Sequence, residues 1–385
     1  MMDYESTQKQ KDLQQRIAEF CREEIAPRAG MLDEGPRDMI GSMMKDNLKL
    51  LGKVHFTGMG IDARYGGEEL DLVSQCMAGE ELARACAATF FSAWSMCMAG
   101  AMLDMFGTGE QKEKYLPGLS RAERIGALAY SESDAGVDLT AVKTSACKRD
   151  DHWIVDGSKN LVTNATIADF FLVLARTDPG AAVLIIDREM DGIRIGTSVD
   201  PMGLRGAPLA AVTLDRCEVP TANVLGGDTG QGLAQMDRVL DIGKLGMAVL
   251  SVGIGMACLE RAIQYARERR TFGERIGNYQ EVSFKLAEMY SGNDLGRMLL
   301  HRAAWGLDRG EADASVLISC AKLFSSEAAA NTAHCALQIF GGNGYLKGAE
   351  VERLFRDARF CEIGYGPSEI QRSFIAGHIL SRSAL

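Results

Sequence analysis

The chain has 385 residues, 46% of them hydrophobic, and a formal net charge of -10 at pH 7. This length exceeds what one simple core organises and suits two or three packed layers or domains. Because binding to a phosphate backbone needs clustered Lys and Arg, the acidic balance argues against nucleic acid as a partner.

Cysteines and apolar stretches indicate the setting in which the protein works. The 10 Cys are scattered, without a Cys-x-x-Cys pair or a Cys/His cluster at zinc spacing, which is typical of reduced thiols and predicts no metal site. The most apolar stretches, 89–103 and 246–258, are shorter than the roughly 18 to 20 residues that cross a membrane. The N-terminus is polar and lacks the apolar core of a signal peptide. We therefore expect a soluble cytoplasmic protein without a membrane partner.

The first third of the chain has the periodicity of α-helices. Apolar residues in 17–25 recur at i, i+3, i+4 and i+8, so one face of a helix is apolar. We expect Pro27 to end that helix, because proline cannot donate the next backbone hydrogen bond. The apolar stretch 79–106 predicts one long helix, and 111–116 predicts a short helix that Pro117 closes.

Short β-type runs follow from about residue 122 to about residue 227. After 153–155, the pair Asp156 and Gly157 is a strong signal for a hairpin turn. Further strand-like runs lie at 170–175, 182–186, 193–195 and 211–214. Their spacing of about ten residues predicts a small barrel or sandwich.

Helical patterns return after residue 232 and continue to the end of the chain. Long apolar-periodic segments lie at 236–270, 284–309 and 312–340, with a last helix from about Ser368. The order helix, strand, helix predicts a mainly α protein with a central β domain. We place the three domains at 1–122, 123–229 and 230–385.

Seven sequence motifs occur in the order and spacing of one enzyme family. They are YGG at 65–67, GTGEQKEKYLP at 107–117, SESDAGVD at 131–138, LVTN at 161–164, MGLRG at 202–206, YARERRTFG at 265–273, and QIFGGNGY at 338–345 followed by VERLFRD and SEIQR. The chain resembles the acyl-CoA dehydrogenase superfamily nearly end to end. The resemblance implies an N-terminal helical domain, a small β-barrel or sandwich and a C-terminal four-helix bundle. It also implies FAD-dependent α,β-dehydrogenation of an acyl thioester, with hydride transfer to flavin N5.

Two loops of the middle region are candidates for contact with the flavin ring. A flavin needs hydrogen-bond donors that stabilise its reduced anion, and loops with hydroxyls and free backbone N–H groups supply them. Taken alone, such loops are more often ordinary turns. The resemblance assigns Ser131, Gly136 and Thr163 to FAD. It places Leu161 over the ring, where the family has a Trp.

Other motif positions are assigned to the rest of FAD. A diphosphate needs a fixed cation, and Arg269 holds the corresponding position of the family motif. Ser368, beside the last motif, is also assigned to the cofactor. In the family, the FAD of a neighbouring subunit is contacted by the residues that match Phe272, Gln280, Gln338, Gly341 and Gly342. The resemblance therefore implies a homodimer or homotetramer.

The catalytic base of the family is missing at both of its usual positions. The family's Glu in a YEGT loop takes the α-proton, and here Tyr365 stands in its place. A phenol has a pKa of about 10, so it is a poor base unless a cation lowers that pKa. The second position, on the long helix, is Gly243. Asp241 lies two residues away, about 200° around a helix, and should point elsewhere.

Three interpretations of the chemistry stay open. Tyr365 acts as an acid or a tuned base, or another carboxylate such as Asp241 or Glu369 enters the site. Alternatively the protein needs no such base, because it performs redox-neutral elimination, cyclisation, isomerisation or hydroxylation, or is a non-catalytic flavin-binding or structural subunit.

The substrate carrier is also open. Segments 157–171 and 297–308 resemble the branch of the family that acts on carrier-protein-bound aminoacyl groups in natural-product biosynthesis. The resemblance therefore implies either an acyl-CoA or a carrier-protein-tethered acyl thioester. It implies an electron-transfer partner or oxygen as the electron acceptor.

Overall fold

The computed structural model describes residues 6–381, and its first part is helical. After the first helix, helical structure continues through a π turn at Cys21–Ile25 and a 3-10 turn at Ala26–Arg28. Pro27 lies inside this second turn. The expectation that Pro27 ends the helical path is wrong, because this proline begins a new turn, where its missing N–H is not needed. The helices before the first strand are α1 (Gln8–Phe20), α2 (Ala29–Glu34), α3 (Arg37–Lys53), α4 (Leu72–Ala85), α5 (Ala87–Phe106) and α6 (Gly109–Ser120).

Two further helix predictions in this part are wrong in detail. The stretch 79–106 forms parts of two helices, α4 and α5, because Cys86 between them is extended, with φ -157° and ψ 101°. Both helices are buried on most sides, so the apolar pattern runs across the break without a visible change. Pro117 lies inside α6, which continues to Ser120. A proline in the last turn removes one helical hydrogen bond but leaves the rest of the helix intact.

The middle of the chain forms one curled seven-stranded sheet. Neighbouring strands follow the order β1-β4-β2-β3-β7-β6, and β5 pairs with β4. The β1–β4 pair is parallel, whereas the long strands β3 and β7 pair antiparallel. The strands are β1 (Gly126–Ala129), β2 (Ser145–Arg149), β3 (His152–Thr163), β4 (Phe170–Arg176), β5 (Ala181–Asp187), β6 (Ile193–Ile195) and β7 (Leu209–Pro220). The prediction of a mainly α protein with a central β region is confirmed.

The expected hairpin at Asp156 and Gly157 is wrong, because both residues lie inside β3. The register with β7 shifts between Val155 and Gly157, where Asp156 alone stands opposite two residues of β7, so the β-bulge at this point has its extra residue in β7. A side chain at Gly157 would collide with Thr144, and its φ of 154° also suits glycine. Glycine is therefore used here for a close approach between strands, not for a turn.

The last part of the chain is a bundle around one central helix. This helix, α7, contacts α4, α5, α8, α9 and α10. Among residues 6–381 it is the one helix apolar and long enough to cross a bilayer, but 78% of its most apolar window is buried inside the protein. The elements are α7 (Gly232–Glu268), β8 (Arg270–Thr271), β9 (Glu274–Arg275), α8 (Gln280–Asp308), α9 (Ala314–Phe340), α10 (Glu350–Cys361) and α11 (Ser368–Ser381).

Candidate active site

A cavity of about 410 Å³ lies where the sheet meets α5, the loop before β7 and the turn between α10 and α11. Ser131, Gly136, Leu161, Thr163 and Tyr365 all line it. A second cleft of about 740 Å³, between the loop after β1 and helices α7, α9 and α11, adjoins the cavity. The structure therefore brings the flavin-ring candidates and the candidate catalytic position together.

A bulge near the end of β3 turns Leu161 into this cavity. The register with β7 passes from Lys159–Val212 to Val162–Ala210, so two residues of β3 stand opposite one residue of β7. Leu161 has a φ of 52° and a side chain that is 66% exposed. A bulge re-aims a side chain in this way. An exposed apolar side chain on the cavity wall suits contact with the face of a planar ring.

The loop after β1 is anchored by a buried ion pair. The Glu132 carboxylate accepts hydrogen bonds from Lys159 Nζ at 2.7 Å and from the backbone N–H groups of Lys143 at 2.7 Å and Thr144 at 3.0 Å. Burial opposes the charge on Glu132, but these donors outweigh it and lower its pKa to about 2. The charged pair thus fixes the loop that carries Ser131 and Gly136.

The residues present fit the isoalloxazine ring of FAD. The cavity wall offers the hydroxyls of Ser131 and Thr163 beside the apolar side chain of Leu161. Next to the wall, the hydroxyl of Ser368 is buried, with no hydrogen-bond partner within the described chain. A buried hydroxyl without a partner is unfavourable, so a ligand acceptor at this point would satisfy it.

The remaining cofactor candidates lie at a different end of the molecule. Arg269, Phe272, Gln280, Gln338, Gly341 and Gly342 line neither the cavity nor the cleft, and Phe272 is 99% exposed. Tyr265 near the end of α7 stacks on Phe340 at the end of α9, with 4.1 Å between ring centroids. The two helix ends are therefore adjacent. The exposed cofactor candidates lie at these ends, in the turn between β8 and β9, or at the start of α8: Arg269, Phe272, Gln280, Gln338, Gly341 and Gly342.

Tyr365 stands between the cavity and the cleft and lines both. It lies in the turn after α10, and its φ of 51° is in the left-handed region that non-glycine residues rarely adopt. Its ring meets Phe91 edge-on, with 6.4 Å between centroids. Strained backbone of this kind is kept where surrounding packing holds it, often at functional sites.

The two usual base positions of the family face each other in this fold. A Cβ atom added to Gly243 would lie 2.6 Å from Cδ1 of Tyr365 and 2.8 Å from Cε of Met98. The Tyr365 ring therefore occupies the space into which a longer side chain at 243 would extend. The absence of a side chain at Gly243 and the presence of a ring at Tyr365 are structurally coupled.

Tyr365 is held as a neutral phenol. Burial and the neighbouring Tyr130 raise its pKa well above the usual value, and a hydrogen bond with Ser95 offsets this only in part. Burial also raises the pKa of Tyr130, to about 12. Within residues 6–381 no cation contributes to the Tyr365 shift, so the condition for a tuned phenolate base is not met.

The two alternative carboxylates do not enter the ring cavity. Asp241 lines the adjoining cleft, where it accepts hydrogen bonds from Lys244 Nζ at 2.9 Å and from Ser315 Oγ at 2.6 Å. Glu369 is exposed on α11 and lines neither space. Neither carboxylate faces the Leu161 side of the site.

Sequence reasoning missed three residues that shape the site. Tyr130 lines both spaces, Ser95 is 3% exposed on the cavity wall, and Lys159 is buried beneath the loop after β1. Tyr130 directly precedes the SESD motif, so its position was a usable signal. Ser95 sits in an apolar helix and Lys159 in a strand pattern, and neither local pattern distinguishes them from ordinary packing residues.

The fold and the site define a class: a helical protein with a central sheet and a cavity whose lining fits a flavin beside the half-buried Tyr365. Family models for acyl-CoA dehydrogenases match all three parts of the chain, the N-terminal domain at 7–123, the middle domain at 127–217 and the C-terminal domain at 230–380. An acyl-CoA dehydrogenase of Bacillus subtilis (strain 168) is 35% identical over 384 residues, covering 97% of this chain and 98% of the relative.

Solved structures agree with the family models. Butyryl-CoA dehydrogenase from Megasphaera elsdenii superposes with a TM-score of 0.92 at 31% identity, covering 98% of this chain and all of that one. The prolyl acyl carrier protein oxidase AnaB superposes with a TM-score of 0.90 at 32% identity, covering 97% and 100%. The chain belongs to the acyl-CoA dehydrogenase family. It is a flavoenzyme of the oxidoreductase class, and its cofactor is FAD.

Proposed function

We propose that this protein transforms an acyl thioester whose α-carbon lies beside Tyr365, between the ring cavity and the cleft. The observation that supports this most directly is that Tyr365 lines both spaces. When bound, FAD supplies the two-electron chemistry at the β-carbon. Members of this family carry out α,β-dehydrogenation, and the chain is an oxidoreductase of that type.

Each group of cavity residues has a role in this proposal. The hydroxyls of Ser131 and Thr163 orient the ring, and Leu161 packs on its face. Glu132 and Lys159 keep the loop that carries Ser131 in place through their 2.7 Å ion pair. The surrounding apolar wall excludes water, which strengthens every polar contact made inside the site.

We further propose that FAD is shared between two subunits. Arg269 follows Gly243 by about 26 residues, which is roughly 39 Å along an α-helix. This distance exceeds the reach of an FAD molecule whose ring lies beside Tyr365. Arg269, Phe272 and Gln280 therefore serve the cofactor of a neighbouring copy, together with Gln338, Gly341 and Gly342. A homodimer or homotetramer follows, because each copy completes the site of another.

The cleft is the proposed route for the thioester handle. Its wall combines apolar residues such as Leu240 and Phe374 with the polar groups of Asp241 and Lys244. Such a mixture suits the amide-containing arm that CoA and carrier proteins have in common. The similarity to both butyryl-CoA dehydrogenase and AnaB supports either carrier. Electrons are exchanged with an electron-transfer partner or oxygen, and the protein acts in the cytoplasm.

The test is whether purified protein contains FAD and whether a thioester changes the redox state of that FAD. The oxidised holoenzyme is mixed anaerobically with butyryl-CoA and with butyryl-pantetheine, and absorbance at 450 nm is followed. Reduced holoenzyme is mixed with the matching crotonyl thioesters. Loss or return of the 450 nm band supports the proposal. A protein that does not retain FAD, or whose FAD responds to no thioester in either direction, contradicts it.

A redox-neutral reaction is the second candidate. It is favoured by one observation: within the described chain, neither Tyr365 nor Gly243 provides the carboxylate that dehydrogenation uses in this family. Under this alternative, product forms from a thioester while the 450 nm band stays constant. Chemical quench with mass detection, run beside the absorbance experiment, separates the two candidates.

A further inference from the structure

The surroundings of Tyr365 favour giving a proton over taking one. Ser95 and Tyr130 line the same cavity wall as Tyr365, and both influence the pKa of its hydroxyl. Its ring packs against Phe91 and fills the space in front of Gly243. Tyr365 thus forms part of the wall between the cavity and the cleft, and within residues 6–381 no charged side chain is hydrogen-bonded to it.

We propose that this protein reduces 2-enoyl thioesters, with the Tyr365 hydroxyl as the proton donor to the α-carbon. The inference rests on the proposed function, because it places the same α-carbon beside the same side chain. It adds the direction of the reaction, reduction of the enoyl group, and the role of Tyr365 as proton donor, neither of which the presence of FAD alone implies.

The physical reason lies in the charge state that the site stabilises. A group that removes an α-proton must be unprotonated before the reaction, whereas a group that donates one must be protonated. Burial without a cation raises the pKa of Tyr365, so the phenol is the resting form at neutral pH. An enolate formed from a thioester is a stronger base than a phenolate. Proton transfer from Tyr365 to that enolate is therefore downhill.

Atoms and electrons balance in this direction. The β-carbon gains the hydride that reduced FAD supplies, the Cα=Cβ π bond breaks, and its electron pair moves onto the α-carbon and the thioester carbonyl. The α-carbon then takes the proton of the Tyr365 hydroxyl, which leaves a phenolate. Water in the adjoining cleft returns a proton to the phenolate. The two electrons come from a reduced electron-transfer protein that recharges the FAD.

Other charged groups line the cleft but do not change the assignment of Tyr365 as the proton donor. The titratable or charged side chains that line the cleft with Tyr365 are Tyr130, Asp138, Asp237, Arg238, Asp241 and Lys244. On α10, Glu362 precedes the turn. Among these groups, Tyr130 alone contributes to the pKa shift of Tyr365, and it raises it. Lys244 is paired with Asp241 at 2.9 Å, so its charge is compensated within the cleft.

The first test measures the ionisation of Tyr365 without turnover. Tyrosinate absorbance at 295 nm is titrated in the wild type and in Tyr365→Phe, and the two curves are subtracted. We expect no tyrosinate from Tyr365 up to pH 10. A component of the difference curve with a midpoint below about pH 8 would overturn the proposal, because the site would then hold a base at neutral pH.

The second test compares the two directions over pH 6 to 10. Dithionite-reduced holoenzyme is mixed with crotonyl-CoA or crotonyl-pantetheine, and oxidised holoenzyme with the butyryl partners. We expect the crotonyl thioesters to reoxidise the reduced FAD at a rate that is nearly constant from pH 6 to 9. Bleaching of oxidised FAD by the butyryl thioesters should become faster by about tenfold per pH unit. The reason is that the phenolate fraction of Tyr365 rises by that factor below its pKa. A bleaching rate that is independent of pH between 6 and 8 contradicts the inference.

A matched pair of variants assigns the effect to Tyr365. We expect Tyr365→Phe to slow reoxidation at least 100-fold, within the range of about 10²–10⁴ for loss of an acid catalyst, while FAD content stays constant. Tyr290→Phe, at a side chain that is 63% exposed on α8, should keep the wild-type rate. Retained reoxidation in Tyr365→Phe would refute the donor role. The proposed function itself fails only if FAD is not retained or neither thioester pair reacts.

Discussion

At the scale of single residues, the site depends on a few buried polar contacts that fix its loops. Glu132 is the clearest case, because its side chain is 7% exposed and its partner Lys159 is fully buried. Burial of an isolated charge is costly, so either residue without the other is unfavourable. Burial lowers the pKa of Lys159, and the contact with Glu132 opposes that shift.

Glu132→Gln should destabilise the fold by about 3 kcal/mol, because Lys159 would remain buried without a counter-charge. The folded-state pKa of Glu132 is lowered from 4.5 to about 2, so the unfolded chain binds its proton more readily. The carboxylate therefore contributes stability above about pH 4.5, and this contribution is lost as the pH falls towards 2. Urea unfolding of the wild type and of Glu132→Gln at several pH values measures the difference in their free energy of unfolding. This difference should be constant from pH 5 to 8 and should become smaller below pH 5.

The control for this prediction is Glu123→Gln. Glu123 pairs with Arg121 on the surface, with side chains 60% and 50% exposed, so its loss should leave the stability of the fold nearly unchanged. The Glu132 variant should also lose FAD faster than the control, since its loop carries Ser131 and Gly136. Equal stability of the two variants would show that the buried pair does not anchor the loop.

Leu161 offers a separate test of where the flavin ring lies. We expect Leu161→Trp to bind FAD about two- to tenfold more tightly, because aromatic contacts contribute ~0.5–1.5 kcal/mol beyond area burial. The backbone cost is unchanged, since both residues share the φ of 52° at this position. Flavin fluorescence should also be quenched in the variant. Dissociation constants from fluorescence titration of the apoprotein measure the first effect.

Leu380→Trp is the matched control, because Leu380 is 83% exposed on the last helix. It should leave FAD affinity and flavin fluorescence as in the wild type. If both Trp variants behave alike, Leu161 does not contact the ring.

At the scale of elements, α7 and the turn after α10 meet through Gly243 and Tyr365. A side chain on the helix and a ring on the turn cannot occupy the same space, since a Cβ atom at position 243 would lie 2.6 Å from the ring. The sequence shows both substitutions but not that they are neighbours, because 122 positions separate them and only the packing of the bundle brings them together.

This coupling predicts that the base can be moved to the helix. Gly243→Glu alone should disrupt the site, because the new side chain collides with Tyr365. Gly243→Glu combined with Tyr365→Gly should bleach oxidised FAD with butyryl-CoA at pH 7 at least 10-fold faster than wild type. A carboxylate is unprotonated at that pH, unlike the phenol. Glycine at 365 also suits the positive φ of the turn.

Gly243→Gln with Tyr365→Gly is the isosteric control, which lacks only the charge. It should retain FAD and show no faster bleaching than the wild type. If the Glu and Gln double variants bleach at the same rate, a carboxylate from α7 does not reach the α-carbon.

The elements also show which features the sequence can predict. The periodicity of the long helices α7, α8 and α9 predicts them within a few residues, because it is sustained and free of proline. The break at Cys86 has no such signal, since apolar residues continue on both sides of it. The Asp156–Gly157 pair predicts a hairpin, but in the structure it lies inside β3 opposite a bulge of β7, because long-range strand pairing overrides the local turn signal.

The site is predictable to a similar degree. Motif positions identify five residues that line one cavity in the structure, Ser131, Gly136, Leu161, Thr163 and Tyr365, and their contact with FAD stays a prediction. The contribution of Ser95 is not predictable, because a serine in a buried helix has no distinctive spacing. The protonation state of Tyr365 likewise depends on burial and on Tyr130, which only the folded chain shows. The domain boundaries at 122 and 229 stay predictions.

At the scale of the whole molecule, the proposed sharing of FAD between subunits makes one polypeptide an incomplete enzyme. Tyr365, on the wall of the ring cavity, faces Gly243 in the first third of α7, whereas Arg269 directly follows the other end of α7 and is exposed. Arg269→Ala should therefore lose FAD more readily, because its guanidinium no longer pairs with the diphosphate. This loss should occur without a change in folding stability, since Arg269 is exposed.

Subunit mixing tests whether that arginine acts across an interface. Tyr365→Phe and Arg269→Ala are each expected to be nearly inactive, but a mixed dimer combines an intact Tyr365 of one copy with an intact Arg269 of the other. Random pairing at equal amounts should restore about one quarter of the wild-type activity, because half of the dimers are mixed and each has one complete site. Co-expression with two affinity tags, followed by sequential purification, isolates the mixed dimer, which should have about half of the wild-type activity per dimer. Activity no higher than that of the parents would place Arg269 and Tyr365 at the same FAD and remove the argument for shared sites.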